Sequence, residues 1–232
     1  MTAFTALVEF QVRPENCTTA EWLEVWDKRA QDARDHEPGT LSYGAAVNLE
    51  NELNVLVYER YANNAEAVQA HTDRPAHGEL MTTLGERRMT KRRIMGTRFT
   101  DIAEFGWWSR PDKAADAEGN LIVLIGMRFE NDDARDKFIE LSAGHADYCL
   151  ANELDTLIYS CGLADDDTDR EIDAKAGDLI FVMGCADAAA MEKHRDDPNH
   201  IALGARFAEA GVNLNVTFMR SYRTTGKGYL WR

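Results

Sequence analysis

The feature that most constrains the fold of this chain is an internal repeat. When the sequence is displaced by 116 residues, Tyr43 falls on Tyr159 and the apolar segments around them coincide. A displacement of 123 residues then brings the motif His-x-Asp-x-Pro-x-His at residues 71–77 onto a second copy at residues 194–200. Because a repeat is one structural unit used twice, the 232 residues predict two domains of about 100 residues each.

The two copies differ by seven residues, and the extra ones fall between Tyr159 and His194. From Asp165 to Asp178 this segment carries seven acidic and two basic side chains, a net −5 within the formal −14 of the whole chain. Charge runs are usually solvated, so we expect an acidic loop on the surface. The negative total argues against nucleic acid as a partner, because nucleic-acid binding needs a basic surface.

Both copies show the same order of predicted elements. A strand is followed by an amphipathic helix, two strands, a second helical region with the histidine motif, and a closing strand. The strands are expected near residues 4–13, 40–49, 55–61 and 94–101, and near 121–129, 156–163, 179–185 and 212–222. The order βαββαβ predicts an α+β fold of two tandem ferredoxin-like units, each with both helices on one face of an antiparallel sheet.

The predicted domains are residues 1–105 and residues 120–232, joined by a linker at residues 106–119. The copies end on related tails, Gly-Trp-Trp-Ser-Arg at residues 106–110 and Gly-Tyr-Leu-Trp-Arg at residues 228–232. A four-stranded sheet with helices on one face leaves its other face to be covered. Each unit therefore needs a partner that covers the uncovered face of its sheet.

The N-terminus and the cysteines indicate a cytoplasmic protein. No apolar run reaches the roughly 18 residues that a membrane span needs, and the first residues lack the basic region of a secretory signal. The four cysteines form no CxxC pair and no short Cys/His spacing, which gives no support to a zinc knuckle or a thioredoxin motif. We expect reduced thiols and no membrane partner.

Each copy carries two histidines that the helical spacing places on a buried face, His71 and His77 in the first and His194 and His200 in the second. Such a histidine is either a satisfied core residue or an ionisable group that lines a cavity and transfers protons near neutral pH. The spacing, broken by proline, does not match i, i+4 metal ligation, so no metal ligand is predicted. His145, alone on its helix face, is expected to be structural.

Three short motifs in the first copy together form a family pattern. They are Glu37-Pro38-Gly39 followed by Leu41-Ser-Tyr43, then Tyr58-Glu59-x-Tyr61, then Ala67-x-x-x-His71 leading to Pro75 and His77. With these motifs the chain resembles the antibiotic biosynthesis monooxygenase family over most of residues 3–100 and, more weakly, over residues 120–222. The resemblance implies that the two copies pair through their sheets as an intramolecular dimeric α/β barrel. The second copy departs from the pattern at Glu59, where Val182 stands at a displacement of 123.

In catalytic members of that family, a phenol, anthrone or hydroquinone reacts with O2 without flavin, haem or metal. The resemblance therefore implies a cofactor-independent monooxygenase that acts on a small aromatic hydroquinone, phenol or polyketide-like substrate with O2 as co-substrate. A deprotonated electron-rich ring can itself reduce oxygen. The protein must therefore supply a pocket that excludes water, a base, and groups that stabilise the substrate anion. The chain has no dinucleotide or phosphate-loop fingerprint, and no bound cofactor is predicted.

The candidate catalytic residues come from the first copy. His71 or His77 is expected to act as the general base, and Tyr43 or Tyr61 to donate a hydrogen bond to the substrate oxygen. The candidate substrate-binding residues are aromatic and histidine side chains of both copies: Trp22, Trp26, Tyr58, Tyr159, His194 and His200. The second copy is expected to supply either an equivalent pocket or only a wall.

Two alternatives stay open at this point. One is a non-catalytic barrel that shelters a small apolar ligand or serves a stress response. The other is a haem-binding or haem-degrading relative, which is disfavoured because residues 4–13 contain no Asn, the residue that haem-degrading relatives use on this strand. The sequence also leaves open a homodimer of the whole tandem chain.

Overall fold

The computed structural model describes residues 3–62, 64–110, 117–168 and 170–229, without the side chain of residue 64. The first unit contains β1 (Phe4–Val12), α1 (Thr19–His36), β2 (Thr40–Asn48), β3 (Asn54–Tyr61), α2 (Asn64–Asp73), α3 (Pro75–Glu86) and β4 (Thr90–Asp101). The second contains β5 (Leu121–Phe129), α4 (Asp132–Asn152), β6 (Thr156–Ala164), β7 (Leu179–Cys185), α5 (Ala188–Asp196), α6 (Pro198–Glu209) and β8 (Leu214–Tyr229). Parts of the predicted linker (residues 111–116) and of the second tail (residues 230–232) lie outside the described residues.

Local side chains set where the two long helices begin. The Thr18 hydroxyl accepts a hydrogen bond from the backbone N–H of Glu21 at 3.2 Å, and the Glu21 carboxylate accepts one from the Thr18 N–H at 2.7 Å. Before α4, the Asn131 side chain accepts from the N–H of Ala134 at 2.9 Å. These contacts satisfy N–H groups that have no partner within the helix. The second helical region of each unit is two helices, because a proline starts a new helix at its first position.

The eight strands form one closed antiparallel barrel in the order β1-β3-β2-β8-β5-β7-β6-β4. Within each unit the order is fourth, first, third and second strand, which is the ferredoxin-like arrangement. The sheets of the two units join where β2 pairs with β8 and where β4 pairs with β6. The predicted fold, two ferredoxin-like units paired within one chain, is confirmed.

The ends of the two units are exchanged across the barrel. After its pairing with β5, strand β8 runs beyond the predicted end at residue 222 and pairs with β2 of the first unit, where Tyr229 lies opposite Tyr43. On the other side, Trp107 of the first tail bridges to Tyr159 on β6. Each unit therefore places an aromatic side chain of its tail against the second strand of the other unit.

Apolar side chains form one core inside the barrel and one under the helices of each unit. The barrel core combines both units and includes Leu7, Leu56, Phe99, Ile122, Ile180 and Tyr222. The core under α1 and α3 includes Trp22, Trp26, Tyr43 and Leu80, and the core under α4 and α6 includes Phe138, Tyr159 and Phe181. Because successive residues of a strand face opposite sides, most strands contribute to two cores. None of the described helices combines the length and the apolarity needed to cross a membrane.

The acidic insertion lies on the surface, with most of its described carboxylates exposed, but it also packs on the barrel. Ile172 and Ala174 are buried in the barrel core, and the Glu171 carboxylate lies 2.5 Å from the Arg92 guanidinium of β4. Asp166 pairs with Arg98 on the same strand. The expected position on the surface is confirmed, and the acidic run also faces basic side chains of the first unit and covers apolar groups at the end of the barrel.

Candidate active site

A buried histidine and carboxylate form the centre of the first unit's site. His71, on α2, is 2% exposed, and its Nδ1 lies 2.8 Å from Oε2 of Glu37, the residue that follows α1. A carboxylate only accepts hydrogen bonds. Arg29 Nη2 also lies 2.9 Å from this Nδ1, but its two protons go to Glu37 and to the His71 carbonyl oxygen, so Nδ1 carries the proton and Nε2 keeps its lone pair. That Nε2 is buried and has no hydrogen-bond partner among the described residues. The pair therefore holds His71 in the orientation and tautomer of a general base.

Two further groups, Arg29 and Thr40, help His71 to hold Glu37 in its ionised form. Arg29 of α1 donates from Nη2 to Glu37 Oε1 at 2.5 Å and to the His71 carbonyl oxygen at 2.9 Å. The Thr40 hydroxyl donates to Oε2 at 2.8 Å. Burial raises the pKa of Glu37, but the hydrogen bonds from His71 and Thr40 and the charge of Arg29 outweigh it and hold the pKa at about 2. The carboxylate therefore stays charged and can stabilise a protonated His71.

Aromatic rings surround the His71 imidazole. The Tyr43 ring stands perpendicular to it with centroids 4.9 Å apart, and the Tyr61 ring lies at 5.6 Å. The Tyr43 hydroxyl accepts a hydrogen bond from the Trp26 indole N–H at 3.1 Å and so still has its own proton to donate. The Tyr61 hydroxyl donates its proton to Glu59 at 2.8 Å. Of the two predicted donors, Tyr43 is therefore the better placed.

His77 approaches the same cluster from α3. Its ring centroid lies 5.5 Å from that of His71, and its Nδ1 is buried without a hydrogen-bond partner in the described part of the chain. Burial and the neighbouring charge of His71 lower the pKa of His77. A solvent-open groove of about 440 Å³ borders the cluster on the side of Glu37 and Thr40 and continues along α2 to Arg74. A small ligand can approach the carboxylate side of the site through this groove.

The second unit repeats the pair with different neighbours. His194 Nδ1 lies 2.8 Å from Glu153 Oε2, and the Thr156 hydroxyl donates to the same oxygen at 2.8 Å. Burial raises the pKa of Glu153, but the hydrogen bonds from His194 and Thr156 outweigh it and hold the pKa at about 2. At the displacement of 116 residues, His145 stands where the first unit has Arg29, and Cys149 where it has Ala33. The carboxylate–histidine pair is thus common to both units, and its cationic partner is not.

The structure brings most of the predicted first-copy residues together. His71, His77, Tyr43 and Tyr61 form one cluster, and Trp26 joins it through Tyr43. Trp22 belongs to the same core under the helices, but its ring packs on Phe10 and its indole N–H donates to Thr90.

Tyr58 lies on the other face of the sheet. It belongs to the barrel core, with its ring centroid 5.9 Å from that of Trp108. Placing Tyr58 in the pocket beside Tyr61 was wrong, because residues three apart on a strand face opposite sides. The sheet therefore separates Tyr58 from the His71 cluster.

The predicted second-copy residues form a separate cluster. Tyr159, His194 and His200 lie together under the helices of the second unit, with Tyr159 and His194 centroids 5.9 Å apart, so they do not line the first-unit site. They are joined by His145, which the sequence had placed alone. The β6–β7 register also sets Met183 opposite Tyr159 where Glu59 lies opposite Tyr43, so Met183 rather than Val182 replaces Glu59.

Sequence reasoning assigned no role to Glu37 or Arg29. A signal for the carboxylate was present, since the displacement of 116 residues matches Glu37 and Thr40 with Glu153 and Thr156. Polar residues that a repeat keeps between apolar segments point to a shared polar function. Arg29 carried no such signal, because the second copy has a histidine at that position.

Comparison with solved structures supports the fold over the full length of the chain. A protein from Lactobacillus acidophilus, provisionally named a monooxygenase, aligns over 100% of both chains with a TM-score of 0.70 and 14% identity. One from Fusobacterium nucleatum with the same provisional name aligns over 100% of this chain and 97% of its own, with a TM-score of 0.72 and 12% identity. An anthrone oxidase-like protein aligns over 96% and 91%, with a TM-score of 0.52 and 12% identity. At these identities the likeness concerns the fold.

Fold and site together define a dimeric α/β barrel whose two halves are joined in one chain. Residues 3–83 match the family model described as antibiotic biosynthesis monooxygenase. Over these residues the first unit is similar to antibiotic biosynthesis monooxygenase domains, and the second unit repeats its topology. No curated protein matches the sequence.

Proposed function

We propose that the first unit catalyses cofactor-independent monooxygenation of a small aromatic hydroquinone, phenol or polyketide-like substrate by O2. The observation that carries this proposal is the state of His71. Its Nδ1–H is held by Glu37 at 2.8 Å, and its buried Nε2 meets no hydrogen-bond partner among the described residues. A lone pair held in this way, in a buried and largely aromatic environment, is suited to remove a phenolic proton.

The base acts through its carboxylate partner. When Nε2 takes the phenolic proton, the imidazole becomes a cation, and the ionised Glu37 stabilises it across the Nδ1–H hydrogen bond. Arg29 keeps Glu37 in place through its contact at 2.5 Å. Glu37 and Arg29 are positioning residues in this scheme, and His71 is the catalytic base.

Tyr43 is the proposed donor to the substrate oxygen. Its hydroxyl accepts from Trp26 at 3.1 Å, and burial raises its pKa, so the phenol proton of Tyr43 remains available. A donor aimed at the substrate oxyanion stabilises the negative charge that forms during proton transfer, and does so more strongly where water is excluded.

The reaction balances with one O2 consumed for each substrate molecule. The substrate anion transfers one electron to O2, and the radical pair recombines with a new C–O bond at an activated ring carbon. The hydroperoxide then loses water, so one oxygen atom stays on the ring as a carbonyl and the other leaves as water. A phenol with a free para position becomes a quinone, and its ring and phenolic hydrogens leave in that water. The scheme requires no flavin or haem.

Two comparisons support the proposal. The first unit matches the antibiotic biosynthesis monooxygenase model, and two full-length structural relatives are provisionally named monooxygenases. A third structural relative is described as anthrone oxidase-like. Anthrones and hydroquinones share an acidic hydrogen next to an electron-rich ring, which is the chemistry that the His71–Glu37 pair can initiate.

The test measures O2 uptake by the purified chain with a panel of hydroquinones, anthrones and phenols. We expect uptake above autoxidation and a fall in kcat of about 100-fold or more in His71→Ala. His194→Ala is the matched control, since it removes the equivalent histidine from the second unit. It should leave kcat within about threefold, because the two sites lie on separate cores.

Circular dichroism of each variant confirms that the fold is retained. No uptake above autoxidation by the intact chain would reject the proposal. Ligand binding without turnover would favour a sheltering role, and a loss of activity in His194→Ala alone would move the site to the second unit.

A further inference from the structure

Three histidines from three helices converge in the second unit. His145 lies on α4, His194 on α5 and His200 on α6. One ring nitrogen from each lies within 4.8 Å of the others. The ring centroids are 4.5 Å apart for His194 and His200 and 5.3 Å apart for each of the other two pairs. Such a cluster brings together neutral nitrogen lone pairs, which are ligands for a transition-metal ion.

The shortest distances in the cluster match the edges of a zinc coordination tetrahedron. His145 Nε2 lies 3.3 Å from His200 Nδ1 and 3.4 Å from Cys149 Sγ. Cys149 Sγ also lies 3.7 Å from Nδ1 of His194, so the thiol borders this third ring as well. A tetrahedron with Zn–N near 2.05 Å and Zn–S near 2.3 Å has N–N edges of about 3.3 Å and N–S edges of about 3.6 Å. The His145–His200 and His145–Cys149 edges are therefore already close to the separations that a bound ion imposes.

Hydrogen bonds outside the cluster orient two of the rings. His145 Nδ1 lies 2.7 Å from the side-chain oxygen of Asn199, so Nδ1 donates and Nε2 turns its lone pair toward His200 and Cys149. His194 Nδ1 lies 2.8 Å from Glu153, so it donates there and leaves Nε2 as the ligand atom. Partners of this kind, a carboxylate or carbonyl on the second ring nitrogen, are typical of metal-binding histidines.

The first unit shows what the second unit lacks. There the buried carboxylate Glu37 has the Arg29 guanidinium on its Oε1 at 2.5 Å. In the second unit the position of Arg29 is His145, and Glu153, which is 6% exposed, has no hydrogen-bond partner for Oε1 in the described part of the chain. A buried carboxylate without a compensating cation is costly. A Zn²⁺ ion bound to one thiolate carries a net charge of +1, the same as the missing guanidinium.

We propose that the second unit binds one Zn²⁺ ion through His145, His194, His200 and the thiolate of Cys149. Three imidazoles and one thiolate suit a borderline-soft ion of this kind, whereas Ca²⁺ and Mg²⁺ require oxygen ligands. With four protein ligands the coordination is closed, so the ion has a structural role. It joins α4, α5 and α6 and replaces the positive charge that Arg29 supplies in the first unit.

The test uses the full chain after treatment with a chelator. Titration with Zn²⁺ followed by calorimetry is expected to show one equivalent bound with a Kd below about 1 μM. The melting temperature should rise with the bound ion, because a ligand of the folded state stabilises it. Co²⁺ in place of Zn²⁺ should give visible bands of tetrahedral coordination and a near-ultraviolet thiolate-to-cobalt band. Absence of Zn²⁺ binding, or of the thiolate band, would overturn the proposal.

The matched variant is His145→Arg with Cys149→Ala, which places in the second unit the two residues that the first unit carries at these positions. Because the same fold accommodates them beside an identical carboxylate–histidine pair, we expect the variant to fold and to lose the bound equivalent. Cys161→Ala removes another buried cysteine of the same unit and should keep both the stoichiometry and the cobalt bands. Retention of one equivalent in the double variant would place the metal elsewhere and refute the assignment.

Discussion

The two units hold the same buried carboxylate–histidine pair and supply its positive partner in different ways. In the first, Arg29 contacts Glu37 directly. In the second, His145 occupies that position and lies among two further histidines and Cys149. The comparison shows that the fold keeps a buried anion at this point of both units, while the group that neutralises it has diverged.

This divergence separates two roles that one site cannot combine. A fixed guanidinium leaves His71 Nε2 free of other ligands, which proton transfer requires. A metal ion on the equivalent imidazole would engage the lone pair that serves as the base. The proposed base in the first unit and the proposed zinc ligand in the second are therefore alternative uses of the same position.

The largest expected effect comes from removing Arg29. Arg29→Ala removes the cation in direct contact with the buried Glu37 and leaves only Arg74, whose Nε lies 3.9 Å from Oε1. We expect a loss of about 3–5 kcal/mol in the free energy of unfolding. His145→Ala in the metal-free chain removes only a neutral ring and should cost about 1–3 kcal/mol. Urea unfolding of both variants measures the difference. Equal losses would contradict the view that the first unit depends on a fixed charge.

Lowering the pH should destabilise the fold by protonating Glu37, whose charge is held by Arg29, Thr40 and His71. Its pKa of about 2 in the folded state lies below the ordinary value of 4.5, so the ionised form stabilises the fold above pH 4.5. That contribution, up to about 3 kcal/mol, is lost as the pH falls from 4.5 towards 2. Glu37→Gln should remove this part of the stability that is lost at low pH. The loss of stability that comes from protonation of Glu153, which has the same depressed pKa, should remain in this variant.

Unfolding experiments between pH 2 and pH 6 test this expectation, with the native chain as the reference. The free energy of unfolding of Glu37→Gln should fall less steeply with decreasing pH than that of the native chain. An unchanged slope would mean that the pair with His71 does not set the pKa of Glu37.

The exchanged tails offer a symmetric comparison. Gly106 and Gly228 both adopt positive φ, +62° and +76°, and a methyl group would collide with the backbone of Tyr159 and Tyr43 respectively. Gly228→Ala and Gly106→Ala should each cost about 1–3 kcal/mol. Thermal unfolding measures both. A loss at one tail only would show that the two junctions are not equivalent, although they use the same geometry.

The smallest expected effect separates the two tyrosines of the first site. Tyr43→Phe removes the proposed donor to the substrate oxyanion and should lower kcat by about 10- to 100-fold. Tyr61→Phe removes a hydroxyl that already donates to Glu59 at 2.8 Å, so kcat should change by about threefold or less. Steady-state O2 uptake with the best substrate of the panel distinguishes them. The opposite ranking would exchange their roles.

Much of the fold could be predicted because its signals are local and occur twice. Apolar alternation, proline positions and the repeated histidine motif gave strand bounds that mostly agree with the structure within a few residues. The position of Tyr58 could also have been predicted, since alternation alone puts it on the face opposite Tyr61. The meeting of His145 with His200 could not, because it depends on how α4 packs against α6.

By itself, the sequence determined that the chain is a tandem of two ferredoxin-like units, since the pattern that specifies each unit is written twice. Only the tertiary structure decided that the tails are exchanged, that the acidic insertion covers the end of the barrel, and that His145 lies in a histidine cluster. These outcomes depend on contacts between residues far apart in the chain. Their geometry follows from the closure of the barrel and from helix packing, which no local pattern encodes.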